Sequence, residues 1–480
     1  MDSLNSSVFD LPLQPDSART RHETWDRHDP MAQVTDSDPD HSQNHVSDSS
    51  SRSKPSFLVI SGGSGGNSIC AAFENACYVL PVSDDGGSSS EIIRVLGGPS
   101  IGDIRSRLVR LIPSAPPGSP LDAVRILLSY RLPVNVSENE ARAEWRGIIE
   151  GQSPLWSGIP NDRKEVIRGF LVYFENEVLK RAHKHFSFLN GSIGNYFLAG
   201  AQGFFRSLPS AIFLFSTITN SQANILPVIV TNHITTIAVE LENGAKLLGQ
   251  CEISHPVAPA ISSDSELLSL DPLSPLDGLG EIIPQSRSNI MYSQQAKEGG
   301  YEPLHSRIYR LYYINGYGHE VYPKPNPQFI KNLSTSEMLV YSCGSLWTSI
   351  IPCLALRGVA SAIAGSRLLR VKALLLNGSN DRETDGYTAV DYIRAITSVL
   401  NSQYPPNGLG NVPLYPISAF ITHLVYLEGT KVAVDVEAIT ALGIKCILVG
   451  KRSECTPNSG IPRYDAAVVQ EAFEEILSGQ

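Results

Sequence analysis

The apolar run Phe57-Leu58-Val59-Ile60 passes directly into Ser61-Gly62-Gly63-Ser64-Gly65-Gly66. A short unbroken apolar run cut off by glycine is the pattern of a strand covered on both faces. The spacing predicts a strand over 57–61, a glycine turn, and a helix through Ala71, Ala72 and Phe73. "CYVLPVSDD" (77–85) repeats the form, an apolar run ending in acid and glycine. "SEIIRVLG" (90–97) and "IGDIRSRLVRLI" (101–112) then place apolar residues three and four apart, which is helical spacing. A Pro/Gly/Ser patch at 113–120 opens a polar helical stretch reaching about residue 187, followed by a helix over 194–205.

Two alternating runs in "TTIAVELENGAKLLGQCEI" (235–253) flank Asn243-Gly244, which predicts a hairpin. The last third is strand-then-helix throughout. Strands are expected at "EMLVYS" (337–342), "VKALLLN" (371–377), "HLVYL" (423–427) and "KCILVG" (445–450). Alternation of this kind specifies an α/β fold: a Rossmann-like, mainly parallel sheet with helices on both faces, plus a β-hairpin and two insertions. The expected organisation is a disordered tail over 1–55 and one α/β nucleotide-binding domain over 56–460. The domain carries insertions at about 114–190 and 262–306, and a C-terminal helix or tail covers 461–480. The tail is placed outside the fold because its Ser, Asp, His and Arg residues cannot offset their ordering entropy by burial.

Composition narrows the class of partner. With 42% hydrophobic residues the chain can bury a large core, and a net charge of -10 argues against a general nucleic-acid footprint. Seven cysteines without a C-x-x-C pair favour reduced thiols and a cytoplasmic setting over a disulfide framework. No signal pattern and no apolar run of membrane-spanning length is present, so no membrane partner is expected.

Open parallel sheets bind ligands beyond the carboxyl ends of their strands. Polar loops at 61–68, 83–90, 342–349 and 377–388 all fall there. The first is neither a Walker A loop, since no lysine follows, nor a Rossmann fingerprint, since Ser68 stands where the third glycine belongs. Gly62, Gly63, Ser64, Gly65 and Asn67 can still bring backbone N–H groups close to a phosphate, or simply form a tight turn. Asp84 and Asp85, adjacent at a strand end, suit Mg²⁺ shared with phosphates, or a helix cap. Asp103 and Arg105 can present a carboxylate and a guanidinium to the same pocket, or be a helix-start acid and a solvated base. Ser345, Thr348 and Ser349 offer hydroxyls at a helix start, and Glu383, Thr384 and Asp385 complete the set. His423 sits among apolar residues as a core histidine.

These motifs together resemble the CofD-like family, which includes the 2-phospho-L-lactate transferase of deazaflavin cofactor synthesis and the YvcK-type proteins of bacteria. The resemblance rests on "ISGGSGG" (60–66), "VSDDGGSS" (82–89), "GDIRSRLVRL" (102–111), "GSIGNYFLAGA" (191–201), "CGSLWTSIIPCL" (343–354), "ETDGYTAVDYIRAI" (383–396) and "LVYLEGTKV" (424–432). It implies a Rossmann-like domain binding a guanosine- or uridine-type nucleotide diphosphate conjugate. It further implies Gly62, Gly63, Ser64 and Gly65 as the phosphate cradle and Asp84 and Asp85 as catalytic or metal-holding acids. Asn195 falls near the nucleotide, and Ser345 and Thr348 fall on a phosphate-proximal loop. The expected activity moves a phospho-acyl group to an alcohol with Mg²⁺, releasing a nucleoside monophosphate. The alternative is a non-catalytic nucleotide-sugar sensor of the YvcK-type, gluconeogenesis-factor kind. Either is compatible with a homo-oligomer.

Overall fold

The computed structural model describes residues 55–63, 65–181, 183–255, 301–402, 414–450 and 460–479. The expected tail up to residue 54, Ser64 and the expected insertion up to residue 300 lie outside the described residues. The strands in chain order are β1 (Phe57–Ile60), β2 (Cys77–Leu80), β3 (Asn224–Pro227), β4 (Thr236–Leu241), β5 (Lys246–Leu248) and β6 (Ile308–Ile314). They continue with β7 (Glu320–Val321), β8 (Met338–Tyr341), β9 (Val371–Leu375), β10 (His423–Leu427) and β11 (Lys445–Val449).

Seven of them form one parallel sheet in the order β11-β10-β9-β8-β1-β2-β3. Unbroken apolar runs dictate this arrangement, because a strand apolar on both faces is satisfied only between two layers. Leu339, Val340, Val371 and Ala373 are accordingly buried completely. The chain moves from β1 to β2 and β3 in one direction and later from β8 to β11 in the other. Neighbouring β1 and β8 are therefore the topological switch point, the place where open parallel sheets take their ligands.

The predicted hairpin is present as β4 and β5 around Gly244, which holds φ +85°. It belongs to a second, antiparallel sheet in the order β5-β4-β6-β7. Two expectations are corrected here. No α-helix follows the first glycine turn: residues Gly65–Asn67 and Cys70–Ala72 form two 3₁₀ turns. Residues Gln250–Ser254, expected to extend the second hairpin run, are a short helix. Strands β6 and β7 were not anticipated.

The expected insertion from 114 to 190 is integral to the core. Helices Pro120–Ser129, Glu138–Ile149 and Asn161–Leu179 frame an aromatic cluster with helix Ile193–Phe205. Trp145 stacks on Phe188 at 5.4 Å and Phe174 on Tyr196 at 4.6 Å between ring centroids. At the other end, helix Ala466–Ser478 sets Phe473 against Phe57 and Phe73. The described cysteines are all free thiols. Among the described residues, no single helix is long and apolar enough to cross a membrane.

Candidate functional site

The loops after β1, β2, β8 and β9 meet at the switch point. The β1 turn is built for close approach. A side chain at Gly65 would meet the Cys343 carbonyl at 2.8 Å and the Gly344 Cα at 2.9 Å, both backbone atoms of the β8 loop. Gly62 lies against Ser349 and Gly63 against Asp103. The glycines thus let the protein's own loops close around the turn, and replacing Gly63 by valine would displace Asp103 as well as any ligand.

Helix Gly102–Arg110 supplies the chemistry beneath this turn. Asp103 accepts a hydrogen bond from the Gly63 N–H. Desolvation pushes its carboxyl up to about 6, although the nearby Arg107 guanidinium opposes the shift. Asp84 is held well above the usual carboxylate range, first by desolvation and then by the charges of Asp103 and Asp85. Its Oδ1 accepts the Gly86 N–H at 3.1 Å. The acidic partnership at the crevice therefore includes Asp103, which is remote from Asp84 in sequence.

Asp85 is engaged differently. Its Oδ1 accepts the Cys251 N–H at 2.8 Å, so it caps the short helix Gln250–Ser254 across 166 positions of chain. The cap weighed for this acid pair was on the helix starting near Ser88, whose N-cap is instead Gly86 with no side-chain bond; Asp85 caps a different helix, one the sequence did not reveal. Burial raises the Asp85 carboxyl, and the Cys251 bonds oppose that rise.

Arg105 is not a solvated base. It is 8% exposed, and its Nε donates to Asn195 Oδ1 at 3.1 Å, while Asn195 Nδ2 donates to Ser88 Oγ at 2.9 Å. The Asn195 amide thereby joins helix 193–205 both to Arg105 of helix 102–110 and to Ser88 after β2. Burial, with Arg131 nearby, lowers its pKa to about 9.

On the β8–β9 side the central group is Glu383. Its Oε2 accepts the N–H groups of Trp347 at 3.0 Å and Thr348 at 3.1 Å. Its Oε1 accepts the hydroxyls of Thr348 and Ser254, each at 2.6 Å. These residues open a π-helical turn, Leu346–Ile350, that continues as helix Ile351–Leu354. The carboxylate thus occupies the start of this segment, where orphan N–H groups accept an anion. Desolvation lifts its pKa to about 7.

Thr348 is therefore fully engaged within the protein. Thr384 is likewise internal, bonded to Asp381 at 2.8 Å and Tyr392 at 3.0 Å. Asp385 is exposed and accepts the Tyr301 hydroxyl at 2.9 Å, outside the crevice. Ser345 lies at the mouth of the same turn, half-buried, and its side chain makes no capping bond. His423 is a core residue of β10, with Nδ1 at 2.8 Å from the Thr422 hydroxyl.

Ser254 and Asp85 tie the helix 250–254 to opposite sides of the crevice, so it straps the ends of β1 and β8. Reasoning from sequence missed this strap. It also missed Asn377, which exchanges two bonds with the Gly344 backbone at 2.9 and 2.8 Å. It named helix 102–111 but passed over Arg107, whose signal was its place two residues after Arg105. Among the described residues no cluster of three or more His, Cys, Asp or Glu side chains has metal-holding geometry. A surface groove of about 600 Å³ between helix Leu208–Ile218 and β3 shares no residue with the crevice.

Fold and site define an α/β protein whose converging loops lie at the carboxyl ends of a doubly wound parallel sheet. The chain belongs to the CofD family, since the model for 2-phospho-L-lactate transferase CofD matches residues 57–449. An uncharacterized protein of Saccharomyces cerevisiae is 32% identical over 430 residues, spanning 81% of this chain and 94% of that one. A gluconeogenesis factor of Halalkalibacterium halodurans is 27% identical over 158 residues, 31% of this chain and 44% of that protein. The crystal structure of a UPF0052 family protein from Bacillus halodurans superposes with a TM-score of 0.53 at 18% identity, covering 87% of this chain and 99% of that one.

Proposed function

We propose that the chain is a transferase acting on a nucleoside diphosphate conjugate. The observation that carries the reading is the switch-point crevice, where a glycine turn, the acids Asp84 and Asp103 and the buried cation Arg105 converge. An alcohol oxygen attacks the phosphorus distal to the nucleoside, the bridging P–O bond breaks, and a nucleoside monophosphate leaves. The alcohol proton passes to a carboxylate. Catalysis of this kind is mostly positioning and charge neutralisation.

Asp84 and Asp103 fit a divalent cation, because a metal would offset the desolvation and the mutual repulsion that together raise Asp84. Asp85 fits less well, since its Oδ1 is bonded to the Cys251 N–H. Mg²⁺ held there would supply charge neutralisation at the transferred phosphorus. Asn195 and Arg105 orient the nucleotide side, and the Gly62–Gly65 turn receives the diphosphate.

A second reading is a nucleotide-sugar-binding regulatory protein without turnover. The Asp85 strap favours it, since a crevice bridged from both sides retains a ligand better than it releases a product. The two separate on incubation with guanosine and uridine diphosphate conjugates, Mg²⁺ and a panel of alcohols. Release of nucleoside monophosphate supports the transferase; saturable binding with no release supports the sensor. Absence of both rejects the site.

A further inference from the structure

Arg107 is the one fully buried cation beneath the glycine turn among the described residues, at 0% exposure. Its Nε donates to Asn67 Oδ1 at 2.8 Å, and its Nη2 donates to Ser61 Oγ at 3.0 Å and the Gly62 carbonyl at 3.2 Å. The guanidinium lies over the Tyr78 ring, 4.7 Å from its centroid. Gly66 has no side chain at the point where one would meet Arg107 Nη2 at 2.5 Å. Three residues of the turn are thus set by one planar group, which a lysine ammonium could not reproduce.

The charge has no direct partner among the described residues and acts on Asp103 only at a distance. Among the described residues no carboxylate forms an ion pair with Arg107, and Nη1 is buried without a hydrogen-bond partner. The neighbouring carboxylate, Asp103, is bonded to the Gly63 N–H. A buried unpaired guanidinium is costly, and a fold that only needed the turn's shape could use neutral donors. The cost is offset when an anion arrives on the other side of the turn.

We infer that Arg107 is the positioning residue and resident counter-charge of the glycine turn, shaping it through Ser61, Gly62 and Asn67 and supplying the field that holds a diphosphate there. This rests on the nucleoside diphosphate reading above. Arg105, whose guanidinium joins Asn195, keeps the nucleotide side, and Arg107 serves the glycine turn.

The test compares Arg107→Lys, Arg107→Met and Asn67→Asp with the parent protein. Binding of GDP and UDP is measured by calorimetry at two salt concentrations, with thermal melting recorded alongside. A charge role predicts that Arg107→Met binds at least tenfold more weakly than Arg107→Lys. A purely structural role predicts equal losses in the two, tracking their melting temperatures, and overturns the inference. Asn67→Asp covers the case in which Arg107→Met does not fold. It keeps an acceptor for Arg107 Nε and for a reoriented Ser106 hydroxyl, gives up the Asn67 Nδ2 donor and cancels the charge, so binding is expected to fall about tenfold with little change in melting. Unchanged binding in Asn67→Asp overturns the inference alone. A parent protein that binds neither GDP nor UDP overturns the functional reading, and the inference with it.

Discussion

The two sides of the crevice solve the same problem in opposite ways. On the β8–β9 side an acid meets a set of backbone donors, and the account closes within the protein: Glu383 receives four hydrogen bonds. On the β1–β2 side the buried Arg105 and Arg107 have no ion pair among the described residues, and Asp84 is raised by desolvation and then by other acids. Satisfied polar networks rigidify, whereas unsatisfied ones mark places that expect something else. Under the proposed function this contrast leaves the β8–β9 side to bracing and the β1–β2 side to ligand chemistry. It also explains why Thr348 and Thr384, plausible phosphate ligands by motif, are closed off.

The largest test of this division is Asp84→Asn. If the β1–β2 side carries the chemistry, nucleoside monophosphate release should fall about 10²-fold or more, the scale of a lost transition-state contact. The apo protein should melt at an unchanged or higher temperature, because Asp103 and Asp85 no longer repel a charge there. Full turnover in this variant would break the division outright.

Next in size is Glu383→Ala. It strands the Trp347 and Thr348 N–H groups in a buried place, which costs about 2–3 kcal/mol of stability by urea denaturation. A variant as stable as the parent would show that the brace is not one.

Glu383→Gln sharpens the point through pH. The carboxyl rises from an ordinary 4.5 to about 7, so the folded protein binds the proton more tightly than the unfolded chain. The penalty for ionised Glu383 is absent below about pH 4.5 and complete above about pH 7. Parent stability should therefore gain from this group as pH falls through that window. At pH 8 Glu383→Gln, which keeps an acceptor for both N–H groups, should exceed the parent by about 3 kcal/mol. The advantage should vanish toward pH 4.5. Equal stabilities at both ends would show that the site is hydrated.

The smallest expected change is Asp85→Asn. An amide oxygen can accept the Cys251 N–H as the carboxylate does, so stability should move by no more than about 0.5 kcal/mol. Turnover should persist. A loss as large as that of Asp84→Asn would return Asp85 to the metal.

Much of the fold was legible because it rests on local pattern. β1, β2, β8, β9, β10 and β11 were each visible as apolar runs cut by polar residues, and Asn243-Gly244 located its hairpin. β6 was not: "IYRLYYI" follows a Ser/Pro-rich stretch and gains its partner, β4, only across the insertion. The short helix 250–254 was hidden because five residues carry too little periodicity, and it is held by Asp85 and Glu383 from distant loops.

Within the site, sequence by itself determined which residue types gather at the carboxyl ends: glycines, adjacent acids, hydroxyls and arginines. That follows from strand direction alone, since every parallel strand delivers its following loop to the same edge. Only the tertiary structure decided how those groups are paired. Arg105 and Arg107 stand two apart on one helix, yet one joins Asn195 and the other sets the glycine turn. Asp84 and Asp85 are neighbours, yet one feels Asp103 and the other caps a helix 166 residues away. Successive side chains leave a backbone in different directions, and what each one meets depends on which distant segments the sheet order brings there.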